Sequence, residues 1–575
     1  MDYVDRIRGK LQFLYPNEQA ADLFSVLMER IEAFQSRHPE LRARKPQLSQ
    51  ADAVLITYGD QVSEPGEPPL QTLAEFASRH LTGVVSSVHV LPFYPFSSDD
   101  GFSVIDYYQV DPRLGSWEHI HRLAGEFRLM FDAVINHVSA QSPWFQAFMG
   151  DQPSYSDYFH VIDPAIDLSR VVRPRALPLL TRVTTASGEK HVWTTFSADQ
   201  IDLNYANPQV LLEVLDILLF YIAQGAEFIR LDAIAFLWKE IGTPCIHLPQ
   251  THQVIQLFRL VMDLVAPHAM LVTETNVPHA DNISYFGDGT NEAQMVYNFA
   301  LPPLTLHTFH TANAAALSEW VNRLSLPTRQ VTFFNFLASH DGIGLNPARG
   351  VLSEAEIAAI IAKTQSHGGL VSYKQNPDGS RSPYELNINY FDALSNPSSP
   401  EPEQIKIERF TAAHAIMLSL VGVPGIYFHS LFGSRGWREG PALSGHNRAI
   451  NRQKLPRRVV EGELADPGSL RYKVFSRLKE LFRLRGERAA FHPFGEQRVI
   501  EIHPAVFGLL RLSPDGASCA LCLHNVSPEE TQIEIALRRF ESKSATDMSR
   551  PEVKFNGKVA LNLRPYQVFW LDLDR

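Results

Sequence analysis

Eight short runs of apolar, β-branched and aromatic residues recur along the 575-residue chain, at 53–59, 84–93, 129–137, 227–234, 269–275, 294–299, 332–341 and 423–428. They are apolar almost throughout rather than at alternate positions. That pattern belongs to parallel strands covered by helices on both faces. Most of the gaps between runs span 19 to 36 residues, room for one helix and its loops. The repeat therefore predicts an α/β fold, a (β/α)8 TIM barrel, with reacting groups at the C-terminal ends of the strands.

Two gaps are longer: His137 to Glu227 is 90 residues and Asp341 to Val423 is 82. They predict a catalytic barrel at 51–489 with two inserted subdomains, 138–226 after strand 3 and 342–410 after strand 7. Both leave the barrel at its reactive face, so both would wall the pocket. The first is aromatic and basic, with Trp144, Tyr155, Tyr158, Phe159, Arg173, Arg175 and Trp193. The second contains Ser366-His367-Gly368-Gly369 and Asn376-Pro377-Asp378-Gly379-Ser380, a composition suited to a mobile loop. Residues 1–50 read as a helical extension, with apolar positions at helical spacing over 20–34. Strand-like segments at 506–512, 520–525, 532–537 and 567–571 make 490–575 a C-terminal antiparallel β domain.

Polar residues gather where the runs stop: Asn136-His137, Arg230 and Asp232, Glu274-Thr275, and His340-Asp341. Three carboxylates on different strands suit retaining glycoside cleavage, which sets a nucleophilic carboxylate and a carboxylic acid about 5 to 5.5 Å apart. Arg230 lies two residues before Asp232, on the same side of the strand, and would hold that aspartate ionised, leaving Glu274 to carry the proton. The bland alternatives for the same carboxylates are caps of a polar barrel mouth or a Mg²⁺ site.

Charge and composition narrow the partners. With 52 basic and 63 acidic residues the formal charge is −11, which gives no general attraction to nucleic acid or anionic lipid. Cys245, Cys519 and Cys522 are too few for a disulfide framework, and the C-x-x-C of the last two reads as part of a strand. No metal-ligand spacing stands out. Charges in Met1-Asp2-Tyr3-Val4-Asp5-Arg6-Ile7-Arg8 stand where a secretory signal needs an apolar stretch. The uncharged run 413–429 is too short to span a membrane and is broken by Pro424. Cytoplasmic residence, with neither membrane nor nucleic acid as partner, is the expectation.

Four motifs then follow in order: Asp132-Ala133-Val134-Ile135-Asn136-His137, Arg230-Leu231-Asp232-Ala233, Glu274-Thr275-Asn276 and Ser339-His340-Asp341. They resemble the four signature regions of the α-amylase superfamily, glycoside hydrolase family 13. The resemblance implies that Asp232 is the nucleophile, Glu274 the acid/base and Asp341 the stabiliser of the distorted sugar. It further implies that Arg230, His137 and His340 orient the glucosyl unit, that Asp99 grips its far hydroxyls, and that Phe159 or a neighbouring aromatic forms a ring platform.

Within the superfamily, Pro92-Phe93-Tyr94-Pro95-Phe96, Arg113-Leu114-Gly115-Ser116-Trp117, Arg173-Pro174-Arg175, Ala300-Leu301-Pro302-Pro303-Leu304 and His340-Asp341-Gly342-Ile343-Gly344 are similar to the sucrose phosphorylase group. That likeness implies cleavage of an α-glucoside by inorganic phosphate, a co-substrate and not a cofactor, giving α-glucose 1-phosphate with net retention. It also implies Arg175 and Tyr384 as phosphate ligands with Arg448 nearby. Glu385, a candidate substrate-binding residue beside Tyr384, stands where the group usually carries Gln, Phe236 where it carries Tyr, and Val171-Val172 where it carries an aromatic.

These departures, with Phe96-Ser97-Ser98-Asp99-Asp100-Gly101 and Asn346-Pro347-Ala348-Arg349-Gly350, look nearer the glucosylglycerate phosphorylase branch. The implied substrate is 2-O-α-D-glucosyl-D-glycerate, whose carboxylate needs a cationic contact, with Arg349, Arg381, Arg435 and Arg438 as candidates. Sucrose, glucosylglycerol and sucrose 6′-phosphate phosphorylases are the alternatives. An α-glucosidase or transglucosidase would differ in forming product without phosphate, and a non-catalytic scaffold would be expected to have lost the carboxylates.

Overall fold

The computed structural model describes residues 3–376 and 378–574; Met1 and Asp2 of the charged N-terminal segment, Pro377 of the turn-rich segment and Arg575 lie outside them. Each apolar run supplies one strand: β1 (Val54–Thr57), β2 (Ser87–Val90), β3 (Arg128–Ala133), β4 (Ala226–Leu231), β5 (Met270–Thr273), β6 (Met295–Tyr297), β7 (Thr332–Asn335) and β8 (Val423–Tyr427). Consecutive strands pair in parallel, and β8 closes the barrel on β1 with Val54 opposite Gly425. Six of the eight are buried at every residue, which is why they read as continuous apolar runs. The interior interleaves large and small side chains. A Cβ on Gly425 of β8 would lie 2.4 Å from the ring of Phe334 on β7, so that phenylalanine fills the space the glycine leaves.

The N-terminal extension folds as two helices, Tyr3–Leu14 and Asn17–Arg37, against the barrel helices Pro208–Ala223 and Pro249–Val265. Ile7 and Leu11 on the first helix and Leu27 and Ile31 on the second, one face of each, lie in the same apolar core as the barrel. Each such side chain contributes about 1.5–3 kcal/mol when buried, so the helices are fastened to the barrel rather than tethered beside it. Arg30 adds a hydrogen bond of 3.1 Å to the Leu212 carbonyl and an ion pair with Asp216.

Both insertions stand over the C-terminal face. The first pairs His137–Ser139 with Gln200–Asp202 and carries a hairpin, Leu180–Thr185 with Gly188–Trp193. The buried Lys239 ammonium ties it to the barrel, reaching Asp202 at 2.7 Å and Asn136 Oδ1 at 2.9 Å. The second insertion is a three-stranded sheet, Ile343–Gly344, Arg381–Asn387 and Leu370–Gln375, with the helix Glu354–Ser366. Its expected end at 410 needs correction. That position lies inside the helix Glu403–Ser419, which packs on the helix Leu470–Gly486 as part of the barrel's own layer. The charged start of that helix hid it, because the buried residues begin only at Lys406.

Beyond 490 the chain forms a six-stranded antiparallel sheet and a two-stranded one around a core of its own, including Leu510, Leu521, Ile535 and Leu571. Cys519 and Cys522 lie in its strand Cys519–Asn525. The strands Arg550–Asn556 and Lys558–Leu563 escape sequence reading because most of their residues face solvent. Among the described residues, no helix is long and apolar enough to cross a membrane.

Candidate active site

The site is organised from beneath by a buried aspartate. Asp132, near the end of β3, stands opposite Arg230 of β4 in the strand register. It accepts a hydrogen bond from His89 of β2 at 2.6 Å and pairs with Arg230. Burial alone would push its carboxyl up, but Arg230 and His89 overrule it and hold the group at about 2. The result is a fixed anion that aims the guanidinium. Arg230 then reaches Asp232 at 2.9 Å, lies 3.9 Å from Glu274, and sits over the ring of Tyr297 at 5.5 Å.

Asp232 leaves β4 with its N–H donating to the Ala133 carbonyl at 3.2 Å. The next residue, Ala233, takes a left-handed conformation at φ 48°, uncommon for a residue with a Cβ and a form of local strain found at functional sites. That turn directs the Ala233 N–H to Glu274 Oε2 at 3.0 Å, linking the ends of two adjacent strands. Burial raises both carboxyls and nearby carboxylates raise them further, against the opposing pull of Arg230, to about 7 in each case. Such a pair titrates jointly and holds one proton near neutrality. The guanidinium is closer to Asp232 than to Glu274, which favours the ionised form at Asp232 and the proton on Glu274.

Asp341 has the opposite balance. Burial would raise it, but Arg448 in ion-pair contact, then His340 at 3.5 Å and Arg452 at 3.9 Å, hold it well below the usual carboxylate range. Arg448 also forms a fork on Glu385 at 3.0 and 2.7 Å. Glu385 is completely buried and sits behind the cavity wall, where it orients Arg448. Gly342 permits this, since a Cβ there would lie 2.4 Å from Glu385 Cγ.

Arg452, which sequence reasoning missed, completes the cationic frame. It donates to the His340 carbonyl at 2.8 Å, pairs with Asp100 at 2.9 Å and lies 3.5 Å from Asp99. Asp99 and Asp100 both have left-handed φ, 52° and 49°. Gly101 continues the turn at φ 112°, where a Cβ would lie 2.5 Å from the Pro92 carbonyl oxygen. Only the fourth-residue spacing of Arg448 and Arg452 hints at this role in sequence; the contact with Asp100 closes across 352 residues.

One cavity collects Asp99, His137, Arg175, Asp232, Glu274, His340, Asp341, Tyr384 and Arg448 on its wall, while Arg230 stands behind it. Burial lowers both histidines, and His340 stacks on Phe102 at 4.7 Å. Burial raises the Tyr384 phenol, with the Arg175 charge opposing. Phe102, Phe196 and Phe236 supply the aromatic wall. Phe159 does not: it is 2% exposed, packed against Phe145 and Phe148.

Arg349, Arg381, Arg435 and Arg438 stay off this wall; Arg349 pairs with Glu354 and Arg435 with Asp392. Lys374 and Asn346 of the second insertion are on it instead. His247 and His252 bond Tyr285 and Glu292 at 2.7 and 2.9 Å, as packing groups. No group of metal-ligating side chains is found among the described residues.

Comparison with known proteins gives the same outline. The family described as alpha amylase, catalytic domain, matches residues 82–350. A glucosylglycerate phosphorylase of Spirochaeta thermophila is 48% identical over 99% of this chain and 99% of its own. One from Allomeiothermus silvanus is 53% identical over 90% of this chain and 91% of its own. Among solved structures, sucrose 6F-phosphate phosphorylase from Thermoanaerobacter thermosaccharolyticum superposes with a TM-score of 0.73 at 24% identity, covering 86% of this chain and 96% of that one.

Proposed function

This chain belongs to the alpha-amylase family, and we propose that within it the protein is a retaining glycoside phosphorylase that converts 2-O-α-D-glucosyl-D-glycerate and phosphate to α-D-glucose 1-phosphate and D-glycerate. The observation that carries the chemistry is the placement of Asp232 and Glu274 at the ends of adjacent strands on one cavity wall, both carboxyls raised by burial, with Arg230 2.9 Å from the aspartate and 3.9 Å from the glutamate. The acceptor follows from likeness to glucosylglycerate phosphorylases along nearly the whole chain.

In the first half-reaction the ionised Asp232 attacks the anomeric carbon while Glu274 gives its proton to the glycosidic oxygen. Glycerate leaves and a β-glucosyl ester of Asp232 remains. In the second, Glu274 takes a proton from phosphate as a phosphate oxygen displaces Asp232, and two inversions give net retention. Asp341, kept anionic by Arg448, lies ready to stabilise positive charge developing at the sugar ring. Arg175 and Tyr384, one from each insertion, would hold the phosphate, so the anion meets a cation where water has none to prefer. Arg230, His137, His340 and Asp99 would orient the glucosyl unit.

This reading uses phosphate as co-substrate and no cofactor, with small molecules as partners. It includes cytoplasmic residence, since phosphate and glucose 1-phosphate are charged and are retained where they are made.

Two assays test it together. Asp232→Ala and Glu274→Gln should each abolish glucose 1-phosphate formation while circular dichroism stays native. In the synthetic direction, glucose 1-phosphate should release phosphate faster with D-glycerate than with fructose. Near-normal turnover in either variant overturns the mechanism, the reverse acceptor order points to a sucrose phosphorylase, and glucose release without phosphate points to a hydrolase.

A further inference from the structure

We propose that Lys374, held in place by Asn346, binds the carboxylate of the acceptor and so selects glycerate over uncharged polyols and sugars. The inference rests on the proposed function, in which the acceptor is an anion.

The cations around the site divide into two classes. Arg230, Arg448 and Arg452 are each committed to carboxylates of the protein. Arg173, Arg175 and Lys374 line the cavity without an ion pair to any described carboxylate. Two substrate anions must be accommodated. Arg175 faces Tyr384 and suits the phosphate, and Arg173 turns to the Leu177 carbonyl.

Lys374 sits on the strand Leu370–Gln375, and its ammonium donates to Asn346 Oδ1 at 3.2 Å. It is half-buried, and burial, with Arg349 near it, lowers its pKa from the ordinary lysine value. An incoming carboxylate would offset that cost.

The chemistry of the acceptor narrows the location. In glycerate the carboxylate is attached to the very carbon whose oxygen Glu274 protonates, so its cation must share the cavity with Glu274. Lys374 does; Arg349, Arg381, Arg435 and Arg438 do not. Asn276 adds a second contact. It lines the same cavity two residues beyond Glu274, its Oδ1 is buried without a hydrogen-bond partner among the described residues, and it is free to accept from an acceptor hydroxyl.

The test uses the full-length protein and the Lys374→Met variant, which keeps the length of the side chain and removes its charge. Reaction of glucose 1-phosphate with D-glycerate, with glyceramide and with glycerol is followed by phosphate release. The expected result is a rise of about tenfold or more in the KM for D-glycerate, with changes of about twofold or less for the two uncharged acceptors. Lys374→Arg should recover part of the loss. If the unmodified protein favours D-glycerate and Lys374→Met leaves its KM unchanged, the inference fails while the proposed function stands. If Lys374→Met raises the KM for phosphate instead, Lys374 belongs to the phosphate site and the inference is overturned. If the unmodified protein does not favour D-glycerate over fructose, the proposed function itself fails, and this inference with it.

Discussion

Arg230 at the mouth of the barrel and Arg485 at its floor are each 1% exposed, yet they face different surroundings. At the mouth, Arg230 stands among Asp132, Asp232 and Glu274. At the floor, Arg485 donates to the carbonyls of Asp52 and Gly422 at 3.0 Å each and of Leu418 at 3.2 Å, and also to that of Gln50. These carbonyls lead into β1 and β8. Arg511 of the C-terminal sheet does the same for Ser419 at 2.6 Å and His492 at 2.9 Å. Burial drags Arg485 down to about 9 and Arg511 to about 10, whereas at Arg230, Arg448 and Arg452 nearby acidic groups overcome the same burial and raise the pKa. Carbonyl partners make a buried arginine a fastener. Carboxylate partners make it a regulator of protons.

The largest effect should come from removing the regulator. Arg230→Leu takes away the cation that Asp132, Asp232 and Glu274 share, which drives protons onto Asp232 and removes the proposed nucleophile. Glucose 1-phosphate formation at pH 7 should fall by about 10³-fold or more in kcat/KM, in line with loss of a preorganised charge at a reacting group. A loss of less than about tenfold would break the distinction between mouth and floor.

Removing the fastener should act on stability instead. Arg485→Leu strands several buried carbonyls, each of which costs about 1–3 kcal/mol when left unsatisfied, though relaxation and water recover part of the sum. A loss of about 3 kcal/mol is expected, read as a lower denaturant midpoint, with kcat per folded molecule within about twofold of the parent. A fall in kcat at unchanged midpoint would show the floor acting on the chemistry.

The two regions also differ in how legible they were. The barrel could be read because its strands are buried on both sides, and the three carboxylates because they end such strands. What escaped was contact between distant segments of chain. Glu385 reads as a pocket residue, but Arg448, 63 residues on, draws it behind the wall. Phe159 reads as a platform, but its place is taken in the core of the first insertion between Phe145 and Phe148. Lys374 lies in a polar, turn-rich stretch where no periodicity marks it, and only the fold of the second insertion brings it over Asn346 and the cavity. The fasteners were silent for a related reason, because a carbonyl partner has no side-chain signature.

The smallest expected effect sharpens the comparison, because it separates carboxylates at the mouth that stabilise the fold from the pair that strains it. Glu274 is raised from 4.5 to about 7, chiefly by burial. Between those values the folded protein keeps a proton that the unfolded chain has released, so stability falls as pH rises through the window, and the deficit persists above it. Asp132, held at about 2, has the opposite sign: its stabilisation is present above its unfolded value near 3.8 and is lost as pH falls toward 2. Glu274→Gln cannot ionise, so it should be more stable than the parent at pH 8 by about 1–2 kcal/mol and close to it at pH 4. Denaturant midpoints at the two pH values measure the difference. An equal shift at both would mean that Glu274 is not strained by its site, and that the proton needed for the leaving glycerate is not stored there.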